Sequence, residues 1–255
     1  MAIFNFVKPD KIVLQKATDF EAQFEFRPLE PGYGVTIGNA LRRVLLNSLE
    51  GYAIIGINIA GADHEFATIK GVTEDVTEMI LNLKQVRFKL LGDHDVTSEK
   101  VTLSIKSKTE FTAGMIGEAT PMFEVMNPEL LICTLDISAK LDIDITIGRG
   151  RGYVPAEEHK EKSTQFGYIP VDAIYTPIKN VKYLIENTRV EQRTDFEKLI
   201  MDVVTDGTIH PEEAVKQASR IIIQHLMIIT DENITFDTKE DKKEDMVDEQ
   251  TLQLR

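Results

Sequence analysis

The run from Pro31 to Gly51, PGYGVTIGNALRRVLLNSLEG, constrains the fold of this chain more than any other stretch. Ile37, Leu41, Val44, Leu45 and, through Ser48, Leu49 recur at helical spacing, which predicts an amphipathic helix with one apolar stripe. Thr36 is the expected N-cap and Gly51 the expected C′ residue, so that both helix ends have local chemistry for their unpaired backbone groups. Arg42, Arg43 and Asn47 fall off the stripe, and Leu46 sits beside them. No acidic residue stands three or four positions from either arginine to pair it within the helix. A solvated flank is the ordinary reading of such charges, but arginine is also enriched where proteins meet partners. A helix of this kind can serve a core and a partner together.

Elsewhere the periodicity mixes strand and helix. Phe20, Ala22, Phe24 and Phe26 alternate with polar neighbours, as do Ala53, Ile55, Ile57 and Ile59, then Val101, Leu103 and Ile105, then Leu141, Ile143, Ile145 and Ile147. Asp75 to Lys84 reads as a short helix, Gly148 to Thr164 as an extended loop, and Val181–Gln192 and Phe196–Val204 as two strands joined by a polar turn. A second long helix starts at Pro211, whose missing N–H costs nothing at the first helical position, with Glu212 and Glu213 favourably placed at the positive end of its dipole. Val215, Ala218, Ile222 and Ile229 line one face, while Ile221, Ile223, Leu226, Met227 and Ile228 carry the apolar surface round most of the helix. Either the chain's own core or a second copy could bury so wide a surface. The fold class is therefore α/β in the mixed, α+β sense. After Phe236 the run DTKEDKKED is too polar to offset its ordering entropy and reads as a disordered acidic linker over 236–255.

Several function classes are disfavoured. With 42 acidic and 29 basic residues, the formal net charge of −13 is a poor footprint for gripping DNA over a broad face. No basic-then-apolar leader opens the chain and no apolar run is long enough to span a bilayer, so a cytoplasmic protein without membrane contact is expected. The single Cys133, in the apolar run Leu130–Cys133, reads as a small buried hydrophobe. His64-Glu65 lacks the second histidine of a helical zinc motif, and the five histidines form no ligand-spaced cluster, so no metal and no cofactor are expected. Gly148-Arg149-Gly150-Arg151-Gly152 could form an anion-binding nest, but it fits neither the P-loop nor the dinucleotide fingerprint, and a loop whose arginines engage a partner is the favoured reading. Asp142 and Asp144 occupy the wet face of a strand, where solvated carboxylates belong. No nucleophile elbow is present, and no catalytic residue is assigned.

The Pro31–Gly51 run closely resembles the most recognisable segment of bacterial RNA polymerase alpha subunits, in their N-terminal assembly region. Four further blocks match in the same order. They are Phe26-Arg27-Pro28-Leu29-Glu30; Gly71-Val72-Thr73-Glu74-Asp75 running into Ile80-Leu81-Asn82-Leu83-Lys84; Gly150-Arg151-Gly152-Tyr153-Val154-Pro155-Ala156; and Arg189-Val190-Glu191-Gln192-Arg193-Thr194-Asp195 followed by Asp206-Gly207-Thr208-Ile209-His210-Pro211-Glu212-Glu213-Ala214. The resemblance spans roughly the first 235 residues, and five ordered blocks are far more specific than one short motif.

This resemblance implies a two-domain scaffold. Residues 1–50 and 176–235 would form a discontinuous dimerisation domain of two helices on a sheet, with 51–175 an inserted, β-rich domain. It implies a homodimer through Ile37, Leu41, Val44, Leu45, Leu49, Val215, Ala218, Ile222 and Ile229. One copy would contact the beta subunit through Arg42, Arg43, Leu46, His64, Glu65 and Phe66. The other would contact beta-prime through Lys84, Val171, Asp172, Ile174, Arg193 and Asp195. The complete enzyme would add omega and sigma. The chain would be a subunit of a nucleotidyltransferase with no active site of its own, because the RNA-synthesising metal site belongs to beta-prime. Family members normally continue past the linker into a small DNA-contacting domain that this sequence lacks, so no direct DNA contact is expected of it. Two other classes stay open: a stand-alone homodimeric regulator, and a sugar- or nucleotide-using enzyme built on the Gly148 loop.

Overall fold

The computed structural model describes residue 9 and residues 11–92, 95–160, 167–190 and 193–230. In chain order, strands β1 (Lys11–Ala17) and β2 (Glu21–Leu29) precede helix α1 (Tyr33–Asn47), which leads into β3 (Glu50–Ile59). Next come α2 (Val76–Leu83), β4 (Phe88–Leu90), β5 (Ser98–Lys106), β6 (Glu110–Thr112), α3 (Ala113–Ala119), β7 (Phe123–Val125), β8 (Leu131–Thr134) and β9 (Lys140–Arg151). The last part holds β10 (Tyr153–Val154), α4 (Ala156–Lys160), β11 (Tyr168–Pro170), β12 (Ala173–Ile174), the long strands β13 (Ile178–Val190) and β14 (Arg193–Thr205), and α5 (Pro211–Thr230). The mixed α+β class follows the patterning. The acidic run over 236–255 lies outside the described residues, as does Gln192 at the expected turn between the two long strands.

Four antiparallel strands in the order β1-β2-β14-β13 form one sheet. Helix α1 lies against β13 and β14. Leu41, Leu45 and Leu49 are buried, and glycines at 34 and 38, one turn apart, let the helix backbone come close to the strands. A Cβ on Gly38 would lie 2.9 Å from the Tyr183 ring and 3.0 Å from the Leu199 terminal methyl, and one on Gly34 would lie 2.7 Å from the Glu197 carboxylate. Side chains in successive turns would hold the helix away from the sheet at just these points.

Both expected helix caps are corrected. The helix begins at Tyr33, three residues before Thr36, with Gly32 as N-cap at φ +85° and no local side chain on its amides. Thr36 lies inside the first turns and its hydroxyl donates back to the Gly32 carbonyl at 3.1 Å. At the other end Ser48 is the C-cap, and Gly51 belongs to β3. A Cβ on Gly51 would collide with the Tyr175 carbonyl, so this glycine serves a chain crossing rather than a helix stop.

The second large sheet has the order β5-β9-β3-β4-β7, with β11 also paired to β3. Helix α2 contributes Val76, Met79 and Leu83 to the core that this sheet buries, and it lies against β8. A capping box starts that helix: Asp75 accepts the Glu78 N–H at 2.7 Å, and Glu78 accepts the Asp75 N–H at 3.4 Å. Ile57, Ile145, Ile147, Phe88 and Phe123 form the centre of the core here. The extended loop expected over Gly148–Thr164 is corrected. Strand β9 continues through Gly150 and Arg151, registered against Gly51 and Glu50, and is followed by β10 and α4. Residues 161–166 of that stretch lie outside the described residues.

Packing divides the chain at Ser219, so the latter half of α5 is a unit of its own. Pro211, Ala214, Val215 and Ala218 are buried at helical spacing in the first half. In the latter half Leu226, Ile228 and Ile229 are largely exposed. Among the described residues no helix is long and apolar enough to cross a membrane.

Candidate functional site

The two arginines of α1 have different fates although they are adjacent. Arg42 is anchored, its Nε–H donating to the Val181 carbonyl of β13 at 3.1 Å. Arg43 is exposed and, among the described residues, makes no hydrogen bond or ion pair. Leu46 is half-buried, and its carbonyl accepts the Thr176 hydroxyl at 2.8 Å where the chain returns to the first sheet. Two neighbouring positions thus supply one internal tether and one free cation.

The segment His64–Phe66 is wholly exposed, and Phe66 retains 75% of its surface. Its backbone is nonetheless held: the Thr77 hydroxyl of α2 donates to the Glu65 carbonyl at 2.8 Å, and Ala67 N–H donates to His64 O at 3.1 Å. A single exposed phenylalanine is ordinary on a protein surface; here its backbone is held in one pose by the Thr77 hydroxyl.

Lys84, at the end of α2, reaches Asp172 at 2.5 Å, and the Tyr153 hydroxyl donates to the same carboxylate oxygen at 3.4 Å. Partial burial raises the Asp172 carboxyl, but the hydrogen bond and charge of Lys84 outweigh this, and its pKa lies below the ordinary value. Tyr153 and Ile174, opposite one another in the β10–β12 pair, are both exposed. Arg87 braces this pair by donating to the Ile174 carbonyl at 3.1 Å. Lys84, Asp172 and Ile174 are therefore brought together. Val171 is not presented with them, since it is buried in the core of the second sheet and can act on a partner only by shaping its neighbours. Arg193 and Asp195 form an exposed ion pair of their own at 2.6 Å, with the guanidinium 4.8 Å from the Phe196 ring.

The nine residues expected at a dimer interface separate into two groups. Leu41, Leu45, Leu49, Val215 and Ala218 are buried within this single chain. Their burial needs no second copy. Ile37, Val44 and Ile222 are half-buried and Ile229 is 76% exposed, so these four retain surface for a partner.

The Gly148–Gly152 nest is corrected by its backbone and its charges alike. Residues 148–151 are registered against β3, the Arg149 N–H donates to the Thr97 carbonyl at 3.0 Å, and Arg149 and Arg151 both grip Glu50. Arg149 also bonds Asp95 at 2.5 Å. Hydrogen bonding from Arg151 first, and then from Arg149, holds the Glu50 carboxyl below its ordinary range. Asp142 and Asp144 are ladder residues as expected, the first taking Ser104 at 2.6 Å and the second Thr102 and Lys100, each at 2.8 Å. Burial pushes the Cys133 thiol up to about 12, leaving no reactive thiolate near neutral pH. Among the described residues no three His, Cys, Asp or Glu side chains gather as a metal site.

Sequence reasoning missed Glu50, Glu197 and Tyr153. Each acts through a residue far away in the chain, so local spacing carries no trace of it. The glycine spacing at 34 and 38 was the one local sign that a strand comes close to α1.

A family profile for the RNA polymerase Rpb3/RpoA insert domain matches residues 57–176. The DNA-directed RNA polymerase subunit alpha of Cytophaga hutchinsonii is 57% identical over 255 residues, covering 100% of this chain and 77% of the relative. The subunit of the same name in Flavobacterium psychrophilum is 54% identical with the same coverage. That of Prosthecochloris aestuarii is 50% identical over 248 residues, covering 95% of this chain and 75% of the relative. Identity at this level along essentially the whole sequence, in the order α1, second sheet, long hairpin and α5, has one reading: the chain belongs to the family of DNA-directed RNA polymerase alpha subunits.

Proposed function

We infer that this chain is the assembly scaffold of a bacterial RNA polymerase: two copies associate, and the pair presents surfaces to the beta and beta-prime subunits. It does no chemistry of its own and contributes to nucleotidyl transfer by positioning the subunits that perform it, in the cytoplasm. The two sheets correspond in this reading to a dimerisation domain and an inserted domain. The beta-facing surface comprises Arg43, with Leu46 beside it and the exposed His64–Phe66 turn. The beta-prime-facing surface comprises Lys84, Asp172 and Ile174, with the Arg193–Asp195 turn. Two identical chains can serve two different partners because the dimer is symmetric and the partners are not. A stand-alone regulator would account for the same dimer, but the family membership favours the polymerase.

The observation that carries the reading is Arg43: an unpaired, exposed guanidinium on a helix whose opposite face is buried and whose adjacent arginine is tethered. Truncating an arginine that becomes desolvated in an interface commonly costs about 2 kcal/mol or more of binding, whereas an exposed substitution changes folding by less than about 0.5 kcal/mol. Arg43→Ala is expected to melt and sediment like wild type and to lose capture of purified beta. Undiminished capture would remove Arg43 from the site, and loss of the fold would show that its side chain supports the subunit itself.

A further inference from the structure

The amino end of α1 has an unusual cap. Gly32 carries no side chain, the first turn contains no acidic residue, and Thr36 turns its hydroxyl towards a carbonyl rather than an amide. An uncapped helix leaves several N–H groups without an intrahelical acceptor. Here the acceptor comes from β14, more than 160 residues away in sequence. One Glu197 oxygen takes the Gly32 N–H at 2.8 Å and the other takes the Gly34 N–H at 2.8 Å. Tyr33 N–H goes to the Glu30 carbonyl at 3.0 Å. A carboxylate at this end of a helix also meets the positive pole of the helix dipole. Gly34 is part of the device, because a Cβ there would stand 2.7 Å from the Glu197 oxygen.

We propose that Glu197 is a positioning residue: together with the Arg42–Val181 tether it clamps α1 at two points on the long hairpin, so that Arg43 is presented to its partner in a fixed pose. The two clamps grip different strands, Glu197 on β14 and Val181 on β13. Two fixed points define the direction of the helix along the sheet, which neither defines alone. Burial of Leu41 and Leu45 holds the helix down without setting its direction, since hydrophobic burial is non-directional. Arg42 and Arg43 thereby take opposite roles, the first holding the helix and the second meeting the partner. An interface residue held in its bound pose loses less freedom on association, and its affinity rises accordingly.

This inference rests on the reading of Arg43 as a beta contact, and the test separates the two. Full-length chain is prepared as wild type, Glu197→Ala, Glu197→Gln and Arg43→Ala. Amide exchange of α1 and affinity for purified beta are measured for each. Glu197→Ala is expected to speed exchange at Gly32 and Gly34 by about fivefold or more, the effect of losing a helix cap, and to weaken beta binding by a similar factor. Glu197→Gln keeps one acceptor oxygen and the shape of the side chain, so it is expected to fall between wild type and alanine in both measurements, even if the alanine variant folds poorly. Arg43→Ala is expected to abolish beta binding with α1 exchange unchanged. Unchanged exchange at both glycines in the Glu197 variants overturns the cap. Faster exchange with wild-type beta affinity overturns the positioning role. If Arg43→Ala binds beta normally, the site reading fails, while the exchange data still decide whether Glu197 caps the helix.

Discussion

Replacing Gly38 with alanine sets two well-characterised effects against each other, and the structure decides which prevails. In an exposed helix interior the change stabilises by about 1 kcal/mol through reduced backbone freedom in the unfolded chain. Gly38 is buried, and its new methyl would come within 2.9 Å of the Tyr183 ring and 3.0 Å of a Leu199 methyl. Leu199 is fully buried in β14, and Tyr183, half-buried in β13, meets the new methyl at the base of its ring rather than at a free end. Overpacking of this kind costs about 1–3 kcal/mol. The expected result is a net loss of up to about 2 kcal/mol for Gly38→Ala, rising to about 3 kcal/mol for Gly38→Val, whose branched side chain also restricts its own rotamers. Asn39, the exposed next residue on α1, supplies the control, with Asn39→Ala expected to stabilise by roughly 0.5 kcal/mol. Urea unfolding at one fixed protein concentration reads all three, because the proposed self-association would make apparent stability depend on concentration. If Gly38→Ala stabilised as Asn39→Ala does, the close approach of α1 to the sheet would not be what makes glycine necessary there.

Two further outcomes follow from the charge and exposure pattern. The Glu50 carboxyl is held below its ordinary value of 4.5 by Arg151 and Arg149, so its contribution is present above that value and is lost as pH falls through the folded pKa. Glu50→Gln is expected to unfold with a shallower loss of stability on the acid limb, and superimposable slopes in a pH series of urea midpoints would contradict the pairing. Ile229 keeps 76% of its surface in the single chain, so Ile229→Asp is expected to leave the subunit folded while weakening self-association about a hundredfold, as burial of an unpaired charge demands. An unchanged dimer by sedimentation would exclude this end of α5 from the interface. Leu45 is the wrong place for that test, since it is completely buried and a charge there would attack the subunit's own core.

The periodicity of this sequence determines its elements well, because helices and strands that bury one face must repeat their apolar residues at the spacing of that face. The stripe Leu41, Leu45 and Leu49, the capping box at Asp75 and Glu78, the paired long strands and the helix starting at Pro211 are all local patterns, and each is legible from a few neighbouring residues. Local chemistry failed where a distant backbone supplied the partner. Thr36 had the composition of a cap, but Glu197 outcompeted it by bringing a full charge and two oxygens from β14. Gly51 and the Gly148–Gly152 run had the composition of a stop and a loop. Pairing of β3 with β9 drew Gly51 and residues 148–151 into a sheet, where Gly51 and Gly150 leave room for Tyr175 and Gly148 leaves room for Ile55. The resemblance implied an assembly surface containing both Arg42 and Arg43, with Arg43 at the beta-engaging position, yet it carried no sign that Arg42 is tethered to Val181 or that Val171 is buried while Asp172 is not. Adjacent residues on one helix or strand differ by the direction of a single bond, and only the packing of distant segments around them decides which is buried or tethered and which is left exposed.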